Sequence, residues 1–302
     1  MPEIDLSDLT RGGDGSPNLR AYLALPEGEG PWPGVVVAHE AFGVDEQMRL
    51  HADRMARAGY LTVVPDLYSD GGMLRCVRGV MRALGAGHGR AFTDLLAGRE
   101  WLRARGDCTG KVGVIGFCLG GGFAIAAAPD FDASAPNYGF LPRDLQAVAA
   151  RSCPVVASYG AKDRQLRGAA NELRGALYEA QVPNDVKEYP HAGHSFLNEA
   201  PNGPKPLRVV MRAMGTGPHP ESAADAWQRI EAFFAEHLGE DGGPGGRAAA
   251  GGDRAGGKGP VGEIRTAGDR GPGMQGSGTQ GPGTQGSGTQ GAGAKDEGLP
   301  DL

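Results

Sequence analysis

The sequence contains few aromatic residues, few cysteines and no long apolar segment. Of its 302 residues, 6% are aromatic and four are cysteines. No apolar run approaches the roughly 18 residues that a membrane-spanning helix requires, so we expect no membrane partner. The N-terminus, MPEIDLSDLT, lacks the basic and apolar regions of a secretory signal. These absences predict a cytoplasmic protein whose cysteines, which form no C-x-x-C pair, stay reduced.

The sequence also lacks a strong charge of either sign. Its formal net charge is −6, and residues 239–302 contribute −2 of this because they hold 6 Lys/Arg and 8 Asp/Glu. Binding to nucleic acid phosphates requires clustered positive charge. We therefore expect no nucleic acid partner.

The C-terminal part of the chain lacks the residues that build a core. Residues 239–302 hold 23 of the 53 glycines and no aromatic residue, and a glycine-rich five-residue repeat runs from 271 to 295. Such a segment cannot bury enough apolar surface to offset the entropy cost of ordering. The sequence predicts one folded domain over residues 1–238 and a disordered, low-complexity tail over 239–302.

Short apolar runs alternate with helical patterns before that tail. Strands are predicted at 19–25, 34–39, 60–64, 111–116, 154–159 and 185–189, the last near a sheet edge. Helices are predicted at 45–58, 90–105, 119–128, 167–180 and 222–238, with Ser222 as the cap of the last one. Residues 68–90 contain helix-like and loop-like segments whose order along the chain the pattern does not predict. The alternation predicts an α/β fold with a mostly parallel sheet covered by helices on both faces.

Cys118 lies in the segment Gly-Phe-Cys-Leu-Gly, which is the G-x-S-x-G pattern with cysteine in place of serine. A nucleophile on a tight strand-to-helix turn needs glycines beside it, since close packing leaves no room for side chains. The following helix would point its N-terminus at the thiol and favour a thiolate. The alternative is a core cysteine on a nucleotide-binding turn, but the glycines do not follow the G-x-G-x-x-G spacing.

Four further polar residues follow predicted strands, as expected for an active site at the carboxyl end of the sheet. Asp163 comes after the strand PVVASY, and His191 and His194 come after DVKEY. The order nucleophile, acid, histidine is that of α/β-hydrolases. Glu40 follows the strand GVVVA, where such enzymes supply an oxyanion-binding N–H. Taken singly, Asp163 fits a turn or capping residue, a loop histidine fits a solvated side chain, and Glu40 fits a solvent-facing acid.

Together, the motifs HEAFG, PDLY at 65–68, GFCLGG at 116–121 and HAGHSF at 191–196 resemble the dienelactone hydrolase family. The resemblance covers roughly residues 17–238 and also includes the Asp three residues after Tyr-Gly. It implies the α/β-hydrolase fold and a reaction without metal or organic cofactor. The resemblance assigns roles as follows: nucleophile Cys118, acid Asp163, base His194, oxyanion-hole N–H groups of Ala41 and Leu119, and Glu40 as the residue that holds the resting thiol and assists its activation.

The sequence departs from the family at two arginines that bind the carboxylate of dienelactone. The residues after Tyr68 are Ser69 and Asp70, and the residue four after His194 is Asn198. Neither Asp nor Asn supplies the charged fork that a carboxylate favours, so dienelactone is not the expected substrate. Candidate substrate contacts are instead Asn198 and, from the segment LRCVRGVMR, Arg75 and Arg78. The alternative for these arginines is a basic helix face that is exposed to solvent.

The sequence thus predicts a monomeric, cysteine-dependent hydrolase that cleaves a small carboxylic ester or lactone through a thioester at Cys118. One alternative is a thioesterase or other acyl transferase with the same three residues. The other is a non-catalytic hydrolase scaffold in which Cys118 binds a ligand or responds to oxidation.

Overall fold

The computed structural model of the chain describes residues 3–200 and 216–239. Within these ranges the strands are β1 (Glu3–Asp5), β2 (Arg20–Ala24), β3 (Trp32–Ala38), β4 (Leu61–Pro65), β5 (Cys108–Phe117), β6 (Ala133–Asn137), β7 (Val155–Gly160) and β8 (Asn184–Tyr189). The helices are α1 (Ser7–Thr10), α2 (Glu46–Arg57), α3 (Met73–Ala86), α4 (Arg90–Arg103), α5 (Leu119–Ala126), α6 (Leu145–Ala149), α7 (Ala169–Glu179) and α8 (Pro220–Leu238), with a 3-10 turn at Ala128–Asp130.

The eight strands form one mixed sheet in the order β1-β2-β4-β3-β5-β6-β7-β8. From β4 to β8 every neighbouring pair is parallel, while β1–β2 and β2–β4 are antiparallel. Helices connect most of the parallel strands, because a parallel pair requires a crossover rather than a tight turn. This is the α/β-hydrolase fold, as the sequence predicts.

Both faces of the sheet are covered by helices. Along β3, Val35 and Val37 pack into a cluster that includes side chains of α2, α7 and α8. Val36 and Ala38 point the other way, into a cluster with side chains of α3, α4 and α5. Burial on both faces explains the unbroken apolar character of the central strands.

The structure also corrects the sequence prediction at several elements. The six predicted strands and five predicted helices are present, and the unordered segment 68–90 contains α3. The prediction missed β1 and β6; the sequence of β6, ASAPN, has no apolar run although all its residues are buried. Ser222 is not the cap of α8: the helix begins at Pro220, and the His219 ring accepts the Ser222 N–H at 3.3 Å.

Two predictions concern the ends of the chain. The predicted tail lies outside the described residues apart from Gly239, so its disorder stays a prediction, as does the domain boundary. No helix in the described ranges is long and apolar enough to cross a bilayer.

The first turn of α5 packs directly on the backbone of neighbouring strands, and its glycines make this contact possible. A Cβ atom on Gly120 would overlap the carbonyl oxygen of Ala38, at the end of β3. A Cβ atom on Gly116 would overlap the carbonyl oxygen of Gly120. The chain can therefore turn from β5 into α5 with the helix N-terminus pressed against the sheet edge.

We expect Gly120→Ala to lower the free energy of unfolding by at least about 3 kcal/mol, since backbone atoms cannot move away from the new methyl group as a side chain would. The matched control is Gly175→Ala, at an exposed position of α7 with no atom within 4 Å of the added Cβ. That variant should be more stable by up to about 1 kcal/mol, because alanine favours the helix. Urea unfolding of the three proteins measures both changes, and equal stability of the two variants would contradict the packing argument.

Candidate active site

Cys118 occupies the turn between β5 and α5 in a backbone conformation that favours glycine. Its φ is 53° and its ψ is −115°, and its N–H donates to the Asn137 carbonyl oxygen at 3.1 Å. The residue is half-buried. Strained backbone of this kind concentrates at functional sites, and the free N-terminal N–H groups of α5 favour negative charge nearby.

His194 and Asp163 form a close pair beside this turn. His194 Nδ1 lies 2.5 Å from Asp163 Oδ2, and the side chains are 13% and 3% exposed. The other carboxylate oxygen of Asp163 accepts the Gln165 N–H at 3.1 Å. The Tyr138 ring packs against the imidazole with the ring centroids 5.1 Å apart. The pair is therefore fixed in orientation and largely shielded from water.

The protonation of His194 depends on its two partners. Burial alone lowers the pKa of His194, but hydrogen bonds and charge interactions with Asp163 and Cys118 outweigh it and raise the pKa to about 10. The imidazole therefore interacts with both a carboxylate and the thiol. Such an arrangement favours the protonated imidazole.

The loop after β3 is clamped by the ring of His39. His39 Nδ1 lies 2.7 Å from the Glu40 carbonyl oxygen and must donate to it, while Nε2 accepts the Leu67 N–H at 3.1 Å. Both bonds together require the neutral ring protonated at Nδ1. Burial is the main effect that lowers the pKa of His39, which is consistent with that form. The loop that carries Glu40 and Ala41 is thus held between β3 and β4.

The Glu40 side chain is 3% exposed, so it is not a solvent-facing loop acid. Its carboxylate accepts hydrogen bonds from Asn198 Nδ2, at 3.3 Å to each oxygen, and from Ser195 Oγ at 3.4 Å. Tyr138 lies nearby: burial, followed by the negative charges of Glu40 and Cys118, raises the pKa of this tyrosine well above its usual range. Glu40 and Cys118 therefore lie close to the same phenol.

The two predicted oxyanion-binding groups lie on the first turn of α5 and on the loop after β3. Leu119 is the first residue of α5, and Ala41 follows Glu40 in the clamped loop. The Ala41 carbonyl oxygen accepts the Tyr68 hydroxyl at 3.0 Å, which fixes the orientation of the loop backbone. Within the part of the chain that is described, no hydrogen bond is made by either N–H.

The three candidate substrate contacts lie in two different environments. Arg75 and Arg78 are exposed on α3. Asn198 is 3% exposed, and both ends of its amide bind protein groups: Nδ2 binds Glu40 and Oδ1 binds His51. Asn198 is therefore buried in contact with Glu40 and is not exposed at the surface.

Sequence reasoning missed Tyr138, Ser195 and His51 as parts of the site. Tyr138 directly follows β6, the strand that the apolar pattern did not reveal. Ser195 has a φ of 57°, and no local signal marks that conformation. His51 sits on the buried face of α2 and reaches the site through a residue 147 positions later. In residues 3–200 and 216–239, no group of three or more His, Cys, Asp or Glu could hold a metal ion.

The raised pKa of His194 should make the free energy of unfolding depend on pH. Because the pKa rises from 6.5 to about 10 on folding, the proton on His194 stabilises the fold fully below pH 6.5, and this contribution is lost as the pH rises toward 10. The stability advantage of the wild-type protein over His194→Gln should therefore shrink across this window, as measured by urea unfolding. His191→Gln, at an exposed histidine of the same loop, is the matched control; an advantage that grows with pH would contradict the raised pKa of His194.

Comparisons with known proteins agree with this architecture. The model of the dienelactone hydrolase family matches residues 19–238. Two curated relatives named "Putative carboxymethylenebutenolidase" are each 32% identical: that of Yersinia pestis over 238 residues (72% of this chain, 84% of the relative) and that of Azospirillum brasilense over 248 residues (76% and 98%). The crystal structure of a "Putative Dienelactone Hydrolase" from Klebsiella pneumoniae subsp. pneumoniae MGH 78578 is 30% identical, with a TM-score of 0.62, over 78% of this chain and 98% of that one.

The family match spans most of the chain, and the related structure shares its fold over nearly its whole length. The chain therefore belongs to the dienelactone hydrolase family and is a hydrolase of the ester and lactone class.

Proposed function

We propose that this protein hydrolyses a small carboxylic ester or lactone through a thioester on Cys118, with His194 as the base and Asp163 as the residue that orients it. The observation that carries the proposal is the hydrogen bond between His194 and the buried carboxylate of Asp163. In support, interactions with both Asp163 and Cys118 raise the pKa of this imidazole. This is the arrangement of an activated nucleophile, its base and an orienting acid.

In the acylation step, the Cys118 thiolate attacks the substrate carbonyl carbon and a C–S bond forms. The negative charge moves to the carbonyl oxygen, where the N–H groups of Ala41 and Leu119 would bind it. When the C–O bond to the leaving group breaks, the His194 imidazolium gives its proton to the leaving alkoxide. For a lactone, the alkoxide stays attached to the acyl group.

In the deacylation step, the neutral His194 takes a proton from a water molecule, and the hydroxide attacks the thioester carbonyl carbon. The C–S bond breaks, and the carboxylic acid product dissociates. The sulfur of Cys118 is then a thiolate again, and the His194 imidazole is protonated again. Asp163 keeps Nδ1 protonated throughout, so that the other ring nitrogen faces the reacting atoms. The cycle consumes one water and needs no other reactant.

The substrate we propose carries no carboxylate at the position that dienelactone would use. Ser69 Oγ donates to the Asp66 carbonyl oxygen at 2.6 Å, and Asp70 pairs with Arg90 at 2.8 Å. Asn198, the residue four after His194, is buried and engaged with Glu40. In this proposal, Arg75 and Arg78 affect only substrates that have an acidic group within reach of α3.

Cys118→Ala should reduce the hydrolysis of a small activated ester such as p-nitrophenyl acetate to background, because in the proposed mechanism the thioester forms on Cys118 alone. Cys153→Ala is the matched control, since burial raises the pKa of the Cys153 thiol to about 12 and leaves it unreactive. The measurement is the release of nitrophenol by equal amounts of the folded variants. Turnover by Cys118→Ala at the wild-type rate would exclude the mechanism, and inert wild-type protein would favour a binding or redox role for Cys118.

A neutral ester should have a kcat/KM at least about tenfold higher than the same ester with an added terminal carboxylate, because the site offers that carboxylate no buried bidentate partner. Steady-state kinetics on a matched pair of acyl groups tests this. Arg75→Ala with Arg78→Ala is the control: these changes should leave the neutral ester unaffected. A preference for the acidic ester that vanishes in this double variant would show that α3 binds the substrate anion instead.

A further inference from the structure

A chain of three buried polar side chains leads away from the candidate nucleophile. Glu40 accepts from Asn198 Nδ2 at 3.3 Å, and Asn198 Oδ1 lies 3.0 Å from His51 Nε2. The three side chains are 3%, 3% and 2% exposed. We call them the Glu40–Asn198–His51 relay.

The direction of each hydrogen bond in the relay follows from the chemistry of the groups. The amide nitrogen of Asn198 donates to both carboxyl oxygens of Glu40, so its oxygen faces His51. His51 Nε2 must then carry a proton and donate it to that oxygen. The ring stacks on Phe117 with the centroids 4.3 Å apart and contacts Trp227 at 5.2 Å. Burial lowers the pKa of His51 to about 4, so the ring is a neutral donor.

The relay also joins the two halves of the candidate site. Asn198 and Ser195, which both bind Glu40, lie on the turn that carries His194, and the Asn198 N–H donates to the Ser195 carbonyl oxygen at 3.2 Å. Glu40 itself belongs to the loop that provides the Ala41 N–H. One hydrogen-bonded chain therefore fixes the loop of the base relative to the loop of the oxyanion hole.

We propose that His51 and Asn198 are positioning residues for Glu40: they hold its carboxylate in one orientation beside Cys118 and touch neither the substrate nor the reacting atoms. The proposal rests on the proposed function for its kinetic consequences but not for the relay itself. Burying three polar side chains is costly unless each is hydrogen-bonded, and packing against Phe117 and Trp227 does not by itself require a polar side chain at position 51. The Nε2 atom of His51 binds the Asn198 oxygen, and the Asn198 nitrogen binds Glu40, so the hydrogen bonds of both side chains lead to Glu40.

The kinetic test uses substitutions at one position of α2. His51→Leu removes the donor, whereas His51→Gln can place an amide N–H near the position of Nε2. We expect kcat for p-nitrophenyl acetate to fall about tenfold in His51→Leu with KM within about twofold, and to recover largely in His51→Gln. The matched control is Gln47→Leu, one turn earlier on the same face, where the side chain accepts the Ala200 N–H at 3.2 Å without joining the relay.

A double-mutant comparison separates positioning from a general effect on packing. If His51 acts through Glu40, His51→Leu should change kcat less than about twofold when added to Glu40→Gln. A full tenfold effect in that background, an equal loss in Gln47→Leu, or failure of His51→Gln to recover activity would each overturn the proposal. If His51→Leu does not fold, Asn198→Ala takes its place in the same comparison.

A spectroscopic readout tests the relay without any substrate. In protein labelled with 15N-histidine, the Nε2 proton of His51 is identified by its loss in His51→Gln. Glu40→Gln should shift this proton resonance, because the change of charge alters the polarisation of the Asn198 amide between them, while Gln47→Leu should leave it in place. No shift in Glu40→Gln would overturn the relay. A shift in a protein with no esterase activity would support the relay and count against the proposed function alone.

Discussion

The site depends on the direct contact between the backbone of the first turn of α5 and the ends of the neighbouring strands. Gly120 and Gly116 leave no space for a Cβ atom, because carbonyl oxygens of Ala38 and Gly120 occupy the positions that these atoms would need. This contact puts the N-terminus of α5 at the carboxyl end of the sheet, and Cys118, directly before the helix, has a φ of 53°. The thiol therefore lies at the end of the sheet where the carboxyl ends of β3, β7 and β8 also meet.

The other residues of the site reach this edge because parallel strands end there together. Asp163 follows β7 and His194 follows β8, and the two meet at 2.5 Å although they are 31 residues apart. Glu40 follows β3, and the neutral ring of His39 clamps its loop to Leu67. The candidate site is therefore formed by residues that follow four strands of one sheet: β3, β5, β7 and β8.

The sequence was sufficient to predict the fold and to place Cys118, Asp163, His194 and Glu40 shortly after predicted strands, because each of them lies within five residues of a strand end. It was not sufficient for residues whose roles depend on contacts across the sheet. Nothing local marks His51, which meets Asn198 147 residues later. Tyr138 was hidden because β6 is short and contains serine, proline and asparagine in place of an apolar run.

The central claim, that Cys118 carries the acyl group, is tested most directly by locating that group on the protein. Enzyme mixed with a small activated ester is quenched in acid during turnover, digested and analysed by mass spectrometry of its peptides. The account predicts the acyl group on Cys118, in the peptide that contains GFCLGG, and on none of the other three cysteines (Cys76, Cys108 and Cys153). An acyl group carried by another residue during turnover would contradict it.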